Sequence, residues 1–378
     1  VVIAVAAAAI LLIALPASAG ANQGGQPAGN GQGKTVDVMT RNLYLGAVLD
    51  PAIAAGNFPA FVQATGQIVR EVDENDFPVR AQGLADEILS KKPDLVGLQE
   101  VALWRTATPA NLSGGPPSAT TVRYDYLKEL LAALNSGKGD NGNGKPQYEV
   151  VVVQPEFDLE APADVNGDLS DGPAGAELSA RLTMRDVILA RRGAGVQTWD
   201  EESANFEHLL PIELFNGQQL LIRRGWTATD AKVRGSHAFR FVNTHLESFH
   251  PIVRQQQAAE LVAPGGPATS NLPVILVGDL NSDKETVSFP DTLAYETLLG
   301  AGMVERSTND PLGCCLQTSL LEVGKGGNVS QFDHQVDHIM TRDPQKVTLQ
   351  SSSVTGLQPV NNFWDSDHAG LFSSLSVR

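Results

Sequence analysis

Short apolar runs bounded by turn residues alternate along this chain with stretches of helical spacing. The clearest run is Pro273-Val-Ile-Leu-Val-Gly-Asp-Leu-Asn-Ser282, where nothing polar interrupts residues 274–277. Such a run reads as a strand buried on both faces. At its end Asp279 and Asn281 stand two residues apart, and on an extended segment they point the same way. The pair suits a water or phosphate oxygen at a sheet rim, and equally an Asx-rich turn.

The same pattern predicts strands at 35–39, 95–100, 148–153, 186–190, 220–224, 239–245, 335–340, 347–354 and 371–377. Strands 220–224 and 239–245 are expected as antiparallel neighbours. Apolar positions at helical spacing predict helices over 77–89, 124–134, 252–262 and 292–299, the first preceded by Asp76 and closed by Lys91-Lys92. Strands and helices interleave without a repeat period or interior linker. The expected fold class is α/β (α+β), a four-layered sandwich of two packed mixed β-sheets flanked by helices.

In a chain of 378 residues, 42% hydrophobic content is ample for one packed core. A net charge of -16 with a pI near 4.8 opposes nonspecific adhesion to nucleic acid or anionic lipid. It leaves room for a phosphate-bearing substrate, because a divalent cation supplies local positive charge. Residues 1–15 are almost wholly apolar and lead into Pro16-Ala-Ser-Ala19, which reads as a signal peptide over 1–19. Residues 20–34, rich in Gly, Gln and Asn, read as a flexible linker, and 35–378 as a single domain. The expectation is a secreted monomer without stable membrane insertion.

The only two cysteines, Cys314 and Cys315, are adjacent and open to two readings, buried thiols or a vicinal disulfide. The acidic stretch 154–179 lacks a periodic signal and reads as a turn-rich loop. Inside it, Asp164-x-Asn166-x-Asp168-x-Ser170 imitates the start of a calcium loop. Leu169 stands where a glycine is expected and Gly175 where the closing glutamate should be, so Ca²⁺ is not expected there.

Acids, amides and histidines recur at the strand ends: Asn42, Glu100, Asp186, His245, Asp279, Asn281, Asp337, Asp367 and His368. Singly, each has a plain role as a cap, a solvated terminus or a core histidine. Strand ends converge on one rim, however, and that is where open α/β sheets bind ligands.

Six blocks occur in a fixed order: Met39-Thr-Arg-Asn42, Asp94-Leu-Val-Gly-Leu-Gln-Glu100, Asn243-Thr-His245, Gly278-Asp-Leu-Asn-Ser282, Val336-Asp-His-Ile339 and Ser366-Asp-His368. Together they resemble the endonuclease/exonuclease/phosphatase superfamily, which includes pancreatic-type deoxyribonucleases, abasic-site endonucleases, bacterial sphingomyelinases and inositol-polyphosphate phosphatases. The resemblance implies a two-sheet sandwich and a catalytic domain that hydrolyses phosphate esters with a divalent metal, Mg²⁺ or alternatively Mn²⁺. Such a cation takes hard oxygen ligands, and one or two carboxylates suffice. The resemblance makes Glu100 a metal ligand, with Asn42 beside it and Asp367 a further candidate. Asp279 would activate or orient the attacking water, and Asn281 would hold it or a phosphate oxygen. His245 and His368 would contact the phosphate and act as acid or base, with Asp337 behind His368 and Asp186 behind His245. Arg224 resembles a phosphate-contacting arginine, and reads equally as a strand-edge charge.

Two positions depart from the family pattern. Tyr44 stands where the abasic-site enzymes carry an acid, and neither Tyr124 nor Tyr148 can be assigned as the tyrosine many members place near the phosphate. The leading expectation is a nuclease-like phosphodiesterase acting on DNA or RNA, with Lys91-Lys92, Arg191-Arg192 and Arg223-Arg224 available for backbone contacts. The alternatives are a sphingomyelinase or phospholipase C-type enzyme, a phosphatase of soluble phosphomonoesters, and a non-catalytic binding protein on the same scaffold. With aromatics at 6%, no apolar hairpin for entering a lipid interface is evident.

Overall fold

The computed structural model describes residues 35–112, 115–137, 147–171, 173–284, 291–307, 312–316, 329–360 and 364–378. The expected signal peptide (1–19) and linker (20–34) lie outside the described residues. One sheet contains β1 (Thr35–Asn42), β2 (Leu95–Gln99), β3 (Leu103–Ala107), β4 (Thr121–Asp125), β5 (Tyr148–Ala163), β6 (Leu178–Arg191), β15 (Val347–Thr355) and β16 (Gly370–Val377). Its order is β15-β16-β1-β2-β6-β3-β4, with β5 also paired to β6. The second contains β7 (Gln197–Asn205), β10 (Gly225–Lys232), β11 (Phe239–His245), β12 (Val274–Asp279), β13 (Val304–Glu305) and β14 (Asp337–Thr341), in the order β13-β14-β12-β11-β10-β7. The strands β8 (Leu210–Glu213) and β9 (Gln219–Ile222) form a separate hairpin. Both large sheets are mixed, since β1–β2 and β11–β12 are parallel and their other pairings antiparallel.

Period-two alternation sorts the buried strand residues into two interfaces. Val36, Val38, Leu95 and Ile188 of the first sheet meet Phe239, Phe241, Ile275 and Val277 of the second. Their neighbours Val96, Leu98 and Leu189 face outward onto helices α1 (Asp50–Ile53), α2 (Phe58–Glu74), α3 (Phe77–Lys91) and α4 (Tyr126–Asn135), through residues such as Val72, Leu84 and Leu130. On the opposite side Val242 and Leu276 pack against Leu261 of α5 (Pro251–Val262) and Leu298 of α6 (Leu293–Gly300). The result is the expected four-layered sandwich. The 274–277 run is apolar throughout because both of its faces are covered.

Two stretches differ from the sequence reading. The stretch 154–179 is sheet at both ends rather than loop throughout, because β5 runs on to Ala163 and β6 begins at Leu178, in register from Tyr148↔Arg191 to Ala163↔Leu178. Register shifts at Val150/Val152 and Pro155/Asp158 break the alternation that would have revealed the strand. Likewise, the strand near 220 pairs only with β8, and the antiparallel neighbour of β11 is β10, Gly-Trp-Thr-Ala-Thr-Asp-Ala-Lys. Too few large apolar residues mark β10 in the sequence. Among the described residues no helix is long and apolar enough to cross a membrane.

Candidate active site

Register alone brings most of the strand-end residues together. Asn42 lies across from Gln99, His245 from Asp279, and Asp279 from Asp337. Under this rim the two sheets are joined by a 2.6 Å hydrogen bond from Gln99 Nε2 to Asn243 Oδ1. The bond passes over Gly97, where a Cβ would come within 2.5 Å of Asn243 Oδ1. Gly97, Gln99 and Asn243 therefore hold the sheets in register beneath the site.

Asp279 is buried at the centre. Its Oδ2 accepts from Asn42 Nδ2 at 3.0 Å, and its Oδ1 accepts from the Asn281 backbone amide at 2.8 Å. The two ring Nε2 atoms, of His245 at 3.5 Å and of His368 at 3.8 Å, approach Oδ2. Burial pushes the Asp279 carboxyl above the usual carboxylate range, with His368 opposing and Asp337 adding to the shift. Asn281 departs from the expected side-by-side emergence. β12 ends at Asp279, Asn281 takes φ 48°, and its Nδ2 turns to the Leu246 carbonyl at 3.1 Å. The two-residue rule stops where the strand stops.

The histidines have unlike surroundings. His368 Nδ1 bonds Asp337 Oδ2 at 2.7 Å, as expected. Burial opposes its charge, yet the carboxylates of Asp337, Asp367 and Asp279 lift it well above the ordinary histidine value. Behind His245 the sequence reading placed Asp186. The group bonded to His245 Nδ1 is instead the Arg224 guanidinium, Nη1 at 3.0 Å, which makes that nitrogen the acceptor. Asp186 is nearby, in a cluster with Glu156 and His245 whose donor atoms lie within 4.8 Å of one another. Burial, then Arg224 and His368, hold His245 well below the ordinary value. Burial also pushes Glu156 up to about 8, and burial with Glu156 alongside pushes Asp186 well above the carboxylate range. The sequence reading missed Glu156 because it lies in the stretch taken for a loop. Arg224 is buried rather than a strand-edge charge, and its Nη2 reaches Ser248 Oγ at 3.1 Å.

On the other side of Asp279, Glu100 Oε2 accepts the Leu45 amide at 2.7 Å, and Asn42 Oδ1 accepts the Tyr44 amide at 2.9 Å. Burial and the neighbouring Asp367 push Glu100 up to about 7. Tyr44, Glu100 and Asn281 all adopt positive φ, at 57°, 54° and 48°, strained backbone of the kind found at functional rims. Arg80, buried and unmarked in the sequence, holds this side together. It donates to the carbonyls of Leu43 (2.8 Å), Asp365 (2.9 Å), Asn75 (3.1 Å) and Tyr44 (3.2 Å). Arg41 likewise donates to the His368 carbonyl and pairs with Glu87.

Among the described residues, the acid, histidine and cysteine groups that converge within 4.8 Å are Asp279–Asp337–His368, Glu156–Asp186–His245 and Cys314–Cys315–His334. Of the expected metal set, Glu100 and Asp367 are close enough for Asp367 to raise the Glu100 carboxyl, and Asn42 is bonded to Asp279. The Asp164–Ser170 stretch is not among the converging groups. Its side chains accept their own backbone, Gly167 N to Asp164 Oδ1 and Asp168 N to Asn166 Oδ1, both at 2.6 Å. Cys314 and Cys315 form a vicinal disulfide whose sulfurs lie 3.8 and 3.7 Å from His368 Nε2. Of the expected nucleic-acid contacts, Arg191 pairs with Asp94 and Arg192 with Glu149.

The family model described as the Endonuclease/Exonuclease/phosphatase family matches residues 62–368. Among solved structures, the endonuclease/exonuclease/phosphatase from Beutenbergia cavernae DSM 12333 is similar over 91% of this chain and 72% of its own, at 17% identity and a TM-score of 0.53. An endonuclease/exonuclease/phosphatase family protein from Bacteroides thetaiotaomicron is similar over 92% of this chain and 99% of its own, at 14% identity and a TM-score of 0.51. No curated protein sequence matches the chain. At these identities the structural likeness concerns the fold.

Proposed function

Because the chain belongs to the endonuclease/exonuclease/phosphatase family of phosphoester hydrolases, we propose that it hydrolyses a phosphodiester by metal-assisted attack of water, centred on Asp279. The observation that carries this reading is the placing of one buried carboxylate between two histidine Nε2 atoms, with a second carboxylate fixing the far nitrogen of one ring.

The donor set fits a hard divalent cation. Asn42, Glu100 and Asp367 offer oxygens as ligands, and a cation would offset both the burial and the neighbouring Asp367 charge that raise Glu100. A bound Mg²⁺ or Mn²⁺ supplies charge neutralisation for the phosphate and for the charge that develops during attack. Asn42 has a second tie to the chemistry, since its Nδ2 holds Asp279 in place.

The Asp279 carboxylate, made more basic by burial, accepts a proton from the attacking water. His368, fixed through Nδ1 by Asp337, presents Nε2–H and gives its proton to the departing alkoxide. His245 accepts from Arg224 at Nδ1, so it carries its own proton on Nε2 and donates to a phosphate oxygen. Asn281 keeps the Asp279 carboxylate oriented through its backbone amide. Glu156 and Asp186 act through Arg224 and His245 as positioning residues. A nucleic-acid substrate has less support than a smaller diester, because Arg191 and Arg192 are already neutralised by acids. The proposal of export rests on residues 1–19, and N-terminal sequencing of protein recovered from the culture medium tests it.

The test is hydrolysis of bis(4-nitrophenyl) phosphate with Mg²⁺ or Mn²⁺. Asp279→Ala is expected to lower kcat/KM by about 10²–10⁴-fold with little change in Tm. Full activity of that variant, or full activity in excess chelator, overturns the reading.

A further inference from the structure

A cavity of 330 Å³ opens from the rim into the layer between the first sheet and its helices. Its head is polar and belongs to the site: Glu100, Asp367, Arg224 and Ser248 line it there. Its body is apolar, walled by Trp104, Leu182 and Met184 on the sheet, Ile68 on α2, and Leu220 and Ile222 on the β8–β9 hairpin. The hairpin is clamped in place by Phe215, whose ring meets Phe58 and Phe61 of α2 at 6.1 and 5.5 Å. The sequence marks the second strand of this hairpin near 220 but not its partner β8, which is only four residues long. Val48 and Phe249 line the cavity and are 50% and 45% exposed, so its mouth meets solvent.

We propose that this cavity selects the substrate: a phosphodiester one of whose alcohols is an apolar alkyl or aryl group, held in the cavity while the phosphate sits at its polar head. The inference rests on the phosphodiesterase reading above. Its physical basis is continuity. Glu100 and Asp367, which would hold the cation that binds the phosphate, and Arg224, which is bonded to His245, close one end of the apolar space, so a phosphate at the site has that space beside it for its own apolar group. The body of the cavity is mostly apolar, and the polar groups of Thr65 and Trp104 in it are already bonded to the Phe61 and Leu45 carbonyls, so a sugar or a charged base would leave its polar groups unpaired there. The volume is about twice the ~150 Å³ that accommodates one benzene ring, which suits a chain of roughly eight to ten carbons. Small side chains make the space, with Ala161 opposite Ala180 on paired strands and Ala52 on α1.

The test uses glyceryl alkyl phosphates that differ only in chain length, from methyl to decyl, followed by ³¹P NMR with Mg²⁺. Each methylene that leaves water is worth about fourfold, so kcat/KM is expected to rise at least about 10²-fold from methyl to octyl. Ala180→Phe and, separately, Ala52→Phe fill the cavity. Each is expected to abolish the chain-length dependence while leaving the methyl ester within about twofold of wild type, which also shows that the variant is folded. Equal kcat/KM for methyl and octyl esters in the wild type overturns the inference. If no diester is cleaved, the phosphodiesterase reading has failed, and titration calorimetry with octyl and methyl phosphate decides the cavity by itself. Tighter binding of octyl phosphate supports it and equal binding overturns it. A hexadecyl ester in neutral vesicles, cleaved as fast as dissolved octyl ester, assigns a membrane source. Cleavage of the dissolved ester alone assigns a soluble one.

Discussion

The two histidine corners start from the same side chain and are shifted in opposite directions. His368 is faced by Asp337, Asp367 and Asp279, all acids, and stays protonated well above the ordinary value. His245 is just as buried but has a guanidinium against one nitrogen, and near it two carboxyls, Glu156 and Asp186, that burial pushes upward. It stays neutral. Burial works against charge in both rings, and the sign of the nearest neighbour decides the outcome. In this reading one ring is an acid with a proton to give, and the other is a neutral donor aimed at the phosphate.

The comparison breaks most sharply when either ring is removed. His368→Ala and His245→Ala are each expected to lower kcat/KM by about 10²–10⁴-fold, with circular dichroism and Tm close to wild type. A loss at only one of them would reduce the site to a single working histidine. Asp337→Asn leaves His368 in place but removes a carboxylate that keeps it charged, and a loss of about 10–100-fold is expected. Activity falls as pH rises through the His368 pKa, so the alkaline limb of the kcat/KM profile should move to lower pH.

Arg224→Met acts on the other corner with the opposite sign. Without the guanidinium the pKa of His245 rises, activity is lost sooner on acidification, and the acidic limb should move to higher pH with a loss of about tenfold or less at the optimum. The smallest effect concerns stability, read in chelator by thermal melts of His368→Gln and His245→Gln against wild type. A raised histidine contributes stability that is complete below its unfolded value of about 6.5 and fades as pH rises through the folded value. The wild-type advantage over His368→Gln should therefore shrink with rising pH. A depressed histidine costs stability once pH falls below about 6.5, so wild type should lose ground to His245→Gln on acidification. Parallel pH trends for the two variants would erase the distinction between the corners.

How far the sequence reveals this arrangement depends on the kind of signal. Runs such as 274–277 and 95–99 are legible because strands covered on both faces leave uninterrupted apolar residues. Parallel and antiparallel register then carries Asn42, His245, Asp279 and Asp337 to one rim without further information. Glu156 was hidden because two bulges break the alternation of β5. Arg80 was hidden because a buried arginine that bonds only carbonyls and an aromatic hydroxyl leaves no pattern at fixed spacing. The partner of His245 was misassigned for a related reason. Arg224 sits between β9 and β10, and β10 itself does not look like a strand.

The position of β1 has a consequence for the life of the chain before it is an enzyme. β1 lies between β2 and β16, pairing along its length with the final strand, while Arg41 and Arg80 reach from the first part of the chain to the carbonyls of His368 and Asp365. Contacts so distant in sequence form late, because a long loop must close before they give anything back. Asn42 and Glu100 emerge early in synthesis, but they have no rim to belong to until residues 364–378 are made. A chain still growing on the ribosome is therefore silent, and loss of the last strand should abolish activity even with every proposed catalytic side chain retained.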